Sequence, residues 1–209
     1  MKIIIFGATG TVGRQLVKQS LRDGHAVTAF ARHPEKLDIA HPRLSLFPGD
    51  VLNEQTVSEA VAGHDGVIVT LGAGRHAGVR ANGTRHIVTA MTEHRVGRLV
   101  CMSSLGAGES WQALNWFWKY LMFGILLRPA LADHNEQEAI VRNADPSIDW
   151  VIVRPGAFTD GALTGNYRTG QFDRHHKPAG KISRADLSDF LVKQLNDTLY
   201  IGQATGISY

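Results

Sequence analysis

Residues 2–13 read Lys2-Ile3-Ile4-Ile5-Phe6-Gly7-Ala8-Thr9-Gly10-Thr11-Val12-Gly13, and the run Arg14 to Arg22 behind them is helix-like. The stretch predicts strand, tight turn, helix. A continuous β-branched run closed by glycine suits a strand buried on both faces, as in a parallel sheet. Gly7 can turn the chain sharply, Gly10 lets backbone approach a phosphate with no Cβ in the way, and Gly13 lets the helix sit close to the sheet. The helix would then point free N–H groups and the positive end of its dipole at an anion in the loop. The spacing is G-x-x-G-x-x-G rather than the G-x-G-x-x-G fingerprint, so its weight comes from placement. It follows a strand, opens a helix, and precedes a second strand-like run, His25 to Ala31, which completes a βαβ unit. The alternative is a glycine-rich turn that holds no ligand, and that placement argues against it.

The end of the second strand chooses between dinucleotides. An NAD site usually carries Asp or Glu there, about 20 residues past the glycines, to accept from the ribose 2′-OH. Here Arg32 ends the strand and Lys36 follows one helical turn on. Two cations suit a 2′-phosphate, which a carboxylate would repel, so NADP(H) is the expected cofactor. The plainer reading leaves Arg32 a solvated charge at a strand end.

Composition narrows the classes. At 209 residues, with 44% hydrophobic and 20% charged residues, the chain is expected to form one globular domain with a sizeable core. The net charge is only +3 and Lys and Arg are scattered, which favours a small anionic ligand over a nucleic acid. The one cysteine, Cys101, admits no internal disulfide and fits a reducing, cytoplasmic setting. No signal peptide is expected, because the first apolar run leads straight into the glycine loop. The longest uncharged apolar block, Tyr120 to Leu127, is too short for a membrane span. No metal is expected: His175-His176 lacks the spacing of a pair on one helix face, and no Cys/His cluster exists.

Further on, a third strand from about Arg43 to Phe47 ends in Pro48-Gly49-Asp50-Val51, and Asn53 caps a helix through Ala62. Asp50 and Val51 would lie where an adenine ring rests in a doubly wound sheet, or serve simply as turn residues. A strand Val67 to Leu71 ends at Gly72-Ala73-Gly74, and Asn82-Gly83-Thr84 opens a helix to about His94. Arg98 to Met102 is a fifth strand ending in Ser103-Ser104. Asp149 to Arg154 is a sixth, ending in Pro155-Gly156-Ala157-Phe158. Ser183 and Asp186 have capping-box spacing at the start of a helix to Leu195, and Gly202 to Ser208 would form a last, edge strand. Apolar strands separated by helices predict an α/β, Rossmann-like, doubly wound and mostly parallel sheet with helices on both faces.

One segment does not follow this pattern. From Trp111 to Leu127 the chain is apolar on every side of any helix up to the break at Pro129. A helix buried all round in the core, or an interface with a second copy, is the favoured reading; a substrate lid and contact with a membrane surface remain open.

These residues resemble the short-chain dehydrogenase/reductase superfamily, in its atypical NAD(P)H-binding branch. Within that branch the chain is similar to the small NADPH-dependent flavin reductases that also reduce biliverdin-IXβ. The likeness rests on Ile5-Phe6-Gly7-Ala8-Thr9-Gly10, Gly49-Asp50-Val51, Asp133-His134 ahead of a helix, and Leu163-Thr164-Gly165-Asn166-Tyr167. By position it implies NADP contacts from Thr9, Gly10, Thr11, Val12, Arg32, Lys36, Asp50, Val51, Leu71 and Gly72. It also implies that Ser103 and Pro155-Gly156-Ala157-Phe158 border the nicotinamide. The chain departs from those reductases at about 106–132, which is longer and more aromatic. It also has no Tyr-x-x-x-Lys: four residues past Tyr120, Tyr167 and Tyr200 stand Gly124, Gln171 and Ala204, and Tyr209 is terminal. Carbonyl reduction needs a proton donor for the forming alkoxide, usually a tyrosine whose pKa a lysine lowers, so ordinary alcohol dehydrogenase chemistry is disfavoured.

The expected activity is hydride transfer from NADPH to a planar conjugated acceptor such as a flavin, a quinone or a linear tetrapyrrole. Such an acceptor spreads the incoming charge, so positioning is the main task and water can supply the proton. Ser103 would orient the nicotinamide or acceptor, with Ser104 a weaker choice. Phe158 and the aromatic segment would wall the acceptor, and His134 would donate a proton or serve only as a surface or capping residue. The rival reading is a non-enzymatic NADP-binding sensor acting through a protein partner. An isomerase or epimerase would need an acid/base pair that the spacing does not reveal.

Overall fold

Ile3, Ile4, Ile5 and Phe6 are all fully buried, and they alternate between two cores: Ile3 and Ile5 face one, Ile4 and Phe6 the other. The structure is a computed structural model that describes residues 1–72, 78–172 and 180–209. Burying each such side chain contributes about 1.5–3 kcal/mol before the cost of ordering the chain, which is why this strand can anchor the sheet.

The strand is β1 (Lys2–Phe6). It pairs in parallel with β2 (Ala26–Ala31) on one side, Ile4 opposite Thr28, and with β4 (Gly66–Val69) on the other, Ile4 opposite Val67. Beyond β2 lies β3 (Leu44–Pro48); beyond β4 lie β5 (Arg98–Met102) and β6 (Asp149–Pro155), all parallel. The order β3-β2-β1-β4-β5-β6 reverses direction between β1 and β4, the switch point at which doubly wound sheets bind ligands outside the carboxyl ends of their strands. Helices α1 (Thr11–Arg22) and α5 (Arg184–Lys193) cover one face. On the other face α2 (Glu54–Val61) packs against α3 (Val79–His94), and α3 packs in turn against α4 (Arg128–Arg142). Two short strands, β7 (Ala157–Thr159) and β9 (Lys181–Ser183), form a separate parallel pair over the carboxyl end of β6. No helix among the described residues is long and apolar enough to cross a membrane.

Several boundaries differ from the sequence reading. β10 (Gln203–Ser208), expected at the edge, is internal: it pairs in parallel with β6 and antiparallel with β8 (Arg168–Gly170), which takes the edge. The helix expected to open at Asn82 opens at Val79. Its cap comes from α4, where Asp133 accepts from the Arg80 and Ala81 amides at 3.2 and 3.0 Å. Asp133 and His134 lie inside α4 rather than ahead of a helix, and Pro129 sits in that helix's first turn, where its missing N–H costs nothing. Ser183 caps α5 as the spacing predicted, its Oγ accepting from the Asp186 amide.

The aromatic segment departs furthest. It is a 3₁₀ turn, Gly108–Ala113, followed by a π-helix, Phe117–Leu126, in which the Leu127 amide donates to Met122 five residues back at 2.7 Å. The core helix expected here is absent: Phe123 alone is buried in the π-helix, while Trp116 (71% exposed), Tyr120 and Ile125 face outward. An i→i+5 ladder sets residues five apart on one face, and Trp118 and Phe123 share the inward face with ring centroids 5.9 Å apart.

Candidate functional site

The glycine loop forms the floor of a cleft of about 600 Å³ at the switch point, lined by Gly7, Thr9, Gly10, Thr11, Val12 and Gly13. Gly7 has φ +83°, a conformation that strains other residues, and its carbonyl accepts from the Gly10 amide at 3.0 Å. Gly13 is there for closeness: a Cβ on it would lie 2.2 Å from the Gly7 oxygen. Arg14 braces the turn from outside, donating to Thr9 O at 3.0 Å and Leu37 O at 3.2 Å. The loop's lack of a side-chain cap, shared with α4 but not with the other helices, leaves its amides open to the cleft. α2 is capped by Asn53 with Glu54 in its first turn, α5 by Ser183 with Asp186, and α3 by Asp133. α1 has no side-chain cap and no acidic residue in its first turn. Its amides and the positive end of its dipole face the cleft, which fits the pyrophosphate of a dinucleotide.

The remaining cofactor candidates divide. Arg32 at the end of β2, Asp50 and Val51 after β3, and Leu71 and Gly72 after β4 all line the same cleft. Arg32 is exposed and makes no ion pair among the described residues. The Asp50 carboxylate accepts from the Leu52 amide at 3.0 Å, so it also holds its own turn. Lys36 sits exposed on a 3₁₀ turn, Pro34–Leu37, and is not part of the lining. Ala73 and Gly74 of the expected glycine pair, and His175-His176, lie outside the described residues.

A second cavity, of about 310 Å³, opens beside the first and shares Leu71, Gly72, Met102 and Phe158 with it. Ser103, Ser104 and His134 line it together with Pro155, Gly156, Ala157 and Phe158. Its far wall is apolar: Leu114, Trp118, Phe123 and Leu127 from the aromatic segment. The sequence reading thus brought Ser103, His134, the Pro155–Phe158 turn and part of the aromatic segment to one place. Phe158 forms the partition between cavities, with the Arg184 guanidinium 5.5 Å from its ring centroid.

Beneath Ser103 lies a buried ion-pair network that spacing did not reveal. Ser103 Oγ donates to Glu138 Oε1 at 2.6 Å, and Arg154 grips both Glu138 oxygens, Nε to Oε1 at 2.8 Å and Nη2 to Oε2 at 2.5 Å. Arg154 also binds Glu109 at 3.0 Å. Burial opposes the Arg154 charge, but hydrogen bonds to Glu138 and Glu109 outweigh it and raise its pKa. The hydrogen bond from Arg154 brings Glu109 down to about 2. A signal was available: an arginine directly after the Val151–Val153 apolar run, at the carboxyl end of an internal strand, must bury its charge and needs a buried carboxylate. His134 lies one turn before Glu138 on α4. Burial, then the nearby Arg80 charge, lower its pKa to about 4, so the ring is neutral at pH 7. Its Nδ1 is 3.2 Å from Gln137 Oε1, and the Gln137 amide donates onward to Thr84 at 3.1 Å.

A tyrosine and a lysine do meet in space, at Tyr167 and Lys193, but they line neither cavity. Tyr167 donates to Asp189 at 2.8 Å and packs on Phe190. Burial and that carboxylate push its pKa up, the opposite of what proton donation at neutral pH requires. Cys101 is fully buried, and burial pushes its thiol up as well.

Residues 7–198 match a family model described as NAD(P)H-binding. The chain is 34% identical over 117 residues to a 3-beta-hydroxysteroid dehydrogenase of Mycolicibacterium neoaurum, a match covering 49% of this chain and only 32% of that enzyme. It is 30% identical over 209 residues to a chloroplastic protein of Arabidopsis thaliana, covering 93% of this chain and 71% of that one. Among solved structures, an anaerobilin reductase from Escherichia coli O157:H7, ChuY, superposes with a TM-score of 0.80 at 23% identity, over 100% of this chain and 97% of the other. At that identity the likeness establishes the fold.

Proposed function

The chain belongs to the NAD(P)H-binding family, and from that premise we propose that it is an NADPH-dependent reductase of a planar conjugated acceptor, a flavin, quinone or linear tetrapyrrole. One observation carries the reading: a cleft suited to a dinucleotide runs, past Leu71, Gly72, Met102 and Phe158, into an apolar cavity walled by Trp118 and Phe123. A cavity of about 310 Å³ with few polar groups is at the small end of ligand sites and suits a flat ring entering edge-first from the open side.

When bound, NADPH supplies a hydride from its nicotinamide ring. The open N-terminus of α1 and the bare glycine loop hold the pyrophosphate, and Arg32 meets the 2′-phosphate with Lys36 as a more distant second cation. Asp50 and Val51 flank the adenine end. Ser103 and the Pro155–Phe158 turn would border the nicotinamide, while Trp118, Phe123 and Leu127 would keep water out of the cavity beside it. A conjugated acceptor delocalises the charge it receives, so solvent completes the protonation and no tyrosine–lysine pair is needed. The reading of ChuY as an anaerobilin reductase is consistent with a tetrapyrrole among the candidates. The exposed π-helix face is taken as the contact between two copies, a homodimer of a cytoplasmic enzyme, and sedimentation as a monomer at tens of micromolar would overturn that part.

The test is NADPH oxidation followed at 340 nm with a flavin, a naphthoquinone and a biliverdin offered separately. Turnover on at least one is expected. Arg32→Glu should lower the preference for NADPH over NADH by roughly 10- to 100-fold, through loss of a charge-assisted contact and gain of a repulsive one. Unchanged preference sinks the cofactor assignment. Tight NADP binding with no turnover on any acceptor would make the protein a sensor instead.

A further inference from the structure

Ser103, Ser104 and His134, three polar side chains lining the apolar cavity, have their hydrogens committed to protein acceptors. Ser103 is 2% exposed, and its hydroxyl hydrogen is committed to Glu138 Oε1 at 2.6 Å. It cannot be the other way round: Glu138 is ion-paired to Arg154 through both oxygens and has no proton to give. Ser104 Oγ donates to the Leu105 carbonyl at 3.2 Å. With the Gln137 amide oriented so that its nitrogen donates to Thr84, its oxygen faces His134 Nδ1, which in that arrangement carries the ring hydrogen and leaves Nε2 a lone pair. Arg80, the charged lining residue, is a donor: its Nη1 is on Asp133 at 3.2 Å and its Nε is buried, so the acceptor character belongs to the Ser103–Ser104–His134 side. With their hydrogens so committed, these three cavity-lining groups are left with lone pairs as their remaining hydrogen-bonding capacity.

We propose that Ser103 reads its ligand as a hydrogen-bond acceptor, its polarity fixed by Glu138 and Arg154, so that this edge of the cavity selects a ring carrying an N–H donor. The inference rests on the reading of the cavity as the acceptor end of a reductase, and it narrows that reading. Imide N–H groups of flavins and pyrrole N–H groups of tetrapyrroles satisfy it. Quinones, which carry only carbonyl oxygens, would set acceptor against acceptor and leave buried lone pairs unpaired. It also reverses the role first read into His134: in this arrangement the ring receives a hydrogen bond. Ser103 is the specificity residue, and Glu138 is a positioning residue acting through it. The shared chemistry, an N–H donor, has a second source in the carboxamide NH₂ of the nicotinamide, so the experiment separates the two.

Protein loaded with NADP⁺ is titrated with lumiflavin and with N3-methyl-lumiflavin, following flavin fluorescence. In parallel, affinities are measured for NADPH and for its 3-acetylpyridine analogue, in which a methyl replaces the carboxamide NH₂. Wild type should lose roughly tenfold in affinity when the relevant N–H is removed, from flavin or from cofactor. Ser103→Ala should abolish that discrimination and Ser103→Thr, which keeps the hydroxyl, should preserve it. Loss on N3-methylation assigns the donor to the acceptor ring; loss with the acetylpyridine analogue alone assigns it to the nicotinamide. Equal affinities in both pairs, failure of either flavin to bind together with equal cofactor affinities, or discrimination that survives Ser103→Ala overturns the proposal. Because Glu138→Gln strands a buried arginine and endangers the fold, the serine variants carry the decision. NADPH turnover on a flavin with no N–H discrimination would leave the reductase reading standing and remove only this one.

Discussion

The two ends of the cleft are made of different material. At the dinucleotide end the working surface is backbone: amides of α1, the Gly7 carbonyl, and a helix brought so close that Gly13 has no room for a methyl group. At the end proposed to take the acceptor it is side chain, hung on a π-helix and two turns: Trp118, Phe123, Leu127, Phe158, with Ser103 and His134 as polar points. Backbone surfaces bind what every dinucleotide shares and resist change, because no rotamer can relieve a collision with them. Side-chain surfaces set what is specific and can be altered one residue at a time. On the proposed reading, the molecule separates a fixed function from an adjustable one along a single groove.

The largest effect is expected where backbone meets backbone. In Gly13→Ala the new Cβ would sit 2.2 Å from Gly7 O and 2.8 Å from the Ala8 backbone, so α1 must retreat from the loop it supports. Affinity for NADPH, measured by calorimetric titration, should fall by roughly 100-fold or more, with a loss of about 2 kcal/mol in stability. Gly72→Ala is the control from the same cleft. A Cβ there meets nothing within 4 Å, so the melting temperature should hold while ligand binding alone responds. If Gly13→Ala binds NADPH as wild type does, the cradle is not built as described.

A smaller and cleaner effect should follow from the other end. Trp118→Ala removes a wall of the apolar cavity and its ring contact with Phe123, centroids 5.9 Å apart. The KM for the acceptor should rise about tenfold while the Kd for NADPH stays within twofold, since Trp118 does not line the dinucleotide cleft. Equal losses in both would mean that the two ends do not act separately.

The same contrast explains what could be read from the sequence. The βαβ unit was legible because its causes are local: a buried strand, a glycine where φ is +83°, a glycine where helix and loop touch, and a cation at the next strand's end. Ser103 and the Pro155–Phe158 turn were singled out by the family resemblance, and they line one cavity because strand ends converge on one rim in a parallel sheet. The start of α3 was missed because its cap, Asp133, lies 53 residues from Arg80 in the chain. The π-helix was missed because composition alone does not distinguish an i→i+4 ladder from an i→i+5 one, and that choice decides which rings turn outward. Glu138 was missed because a carboxylate on an ordinary-looking helix betrays itself only through the buried Arg154 opposite it.

The smallest effect is a pH dependence that belongs to the acceptor end. His134 titrates at about 4 in the folded chain, against an ordinary 6.5, chiefly because burial disfavours the imidazolium and then because Arg80 repels it. Between those values the unfolded chain binds the proton and the folded one does not. Stability from this group is therefore complete above about pH 6.5 and declines as the pH falls toward 4, by on the order of 3 kcal/mol in total. His25 and His64 are also lowered by burial and slope the same way, so the wild-type curve alone does not isolate the contribution. The difference between wild type and His134→Gln does, because those two histidines cancel. Urea unfolding from pH 7 to pH 4 should show the wild type losing its lead over the variant steadily across that window. Parallel curves would mean that the His134 ring is open to water, and the polar edge of the acceptor cavity would then have to be redrawn with an imidazolium in it.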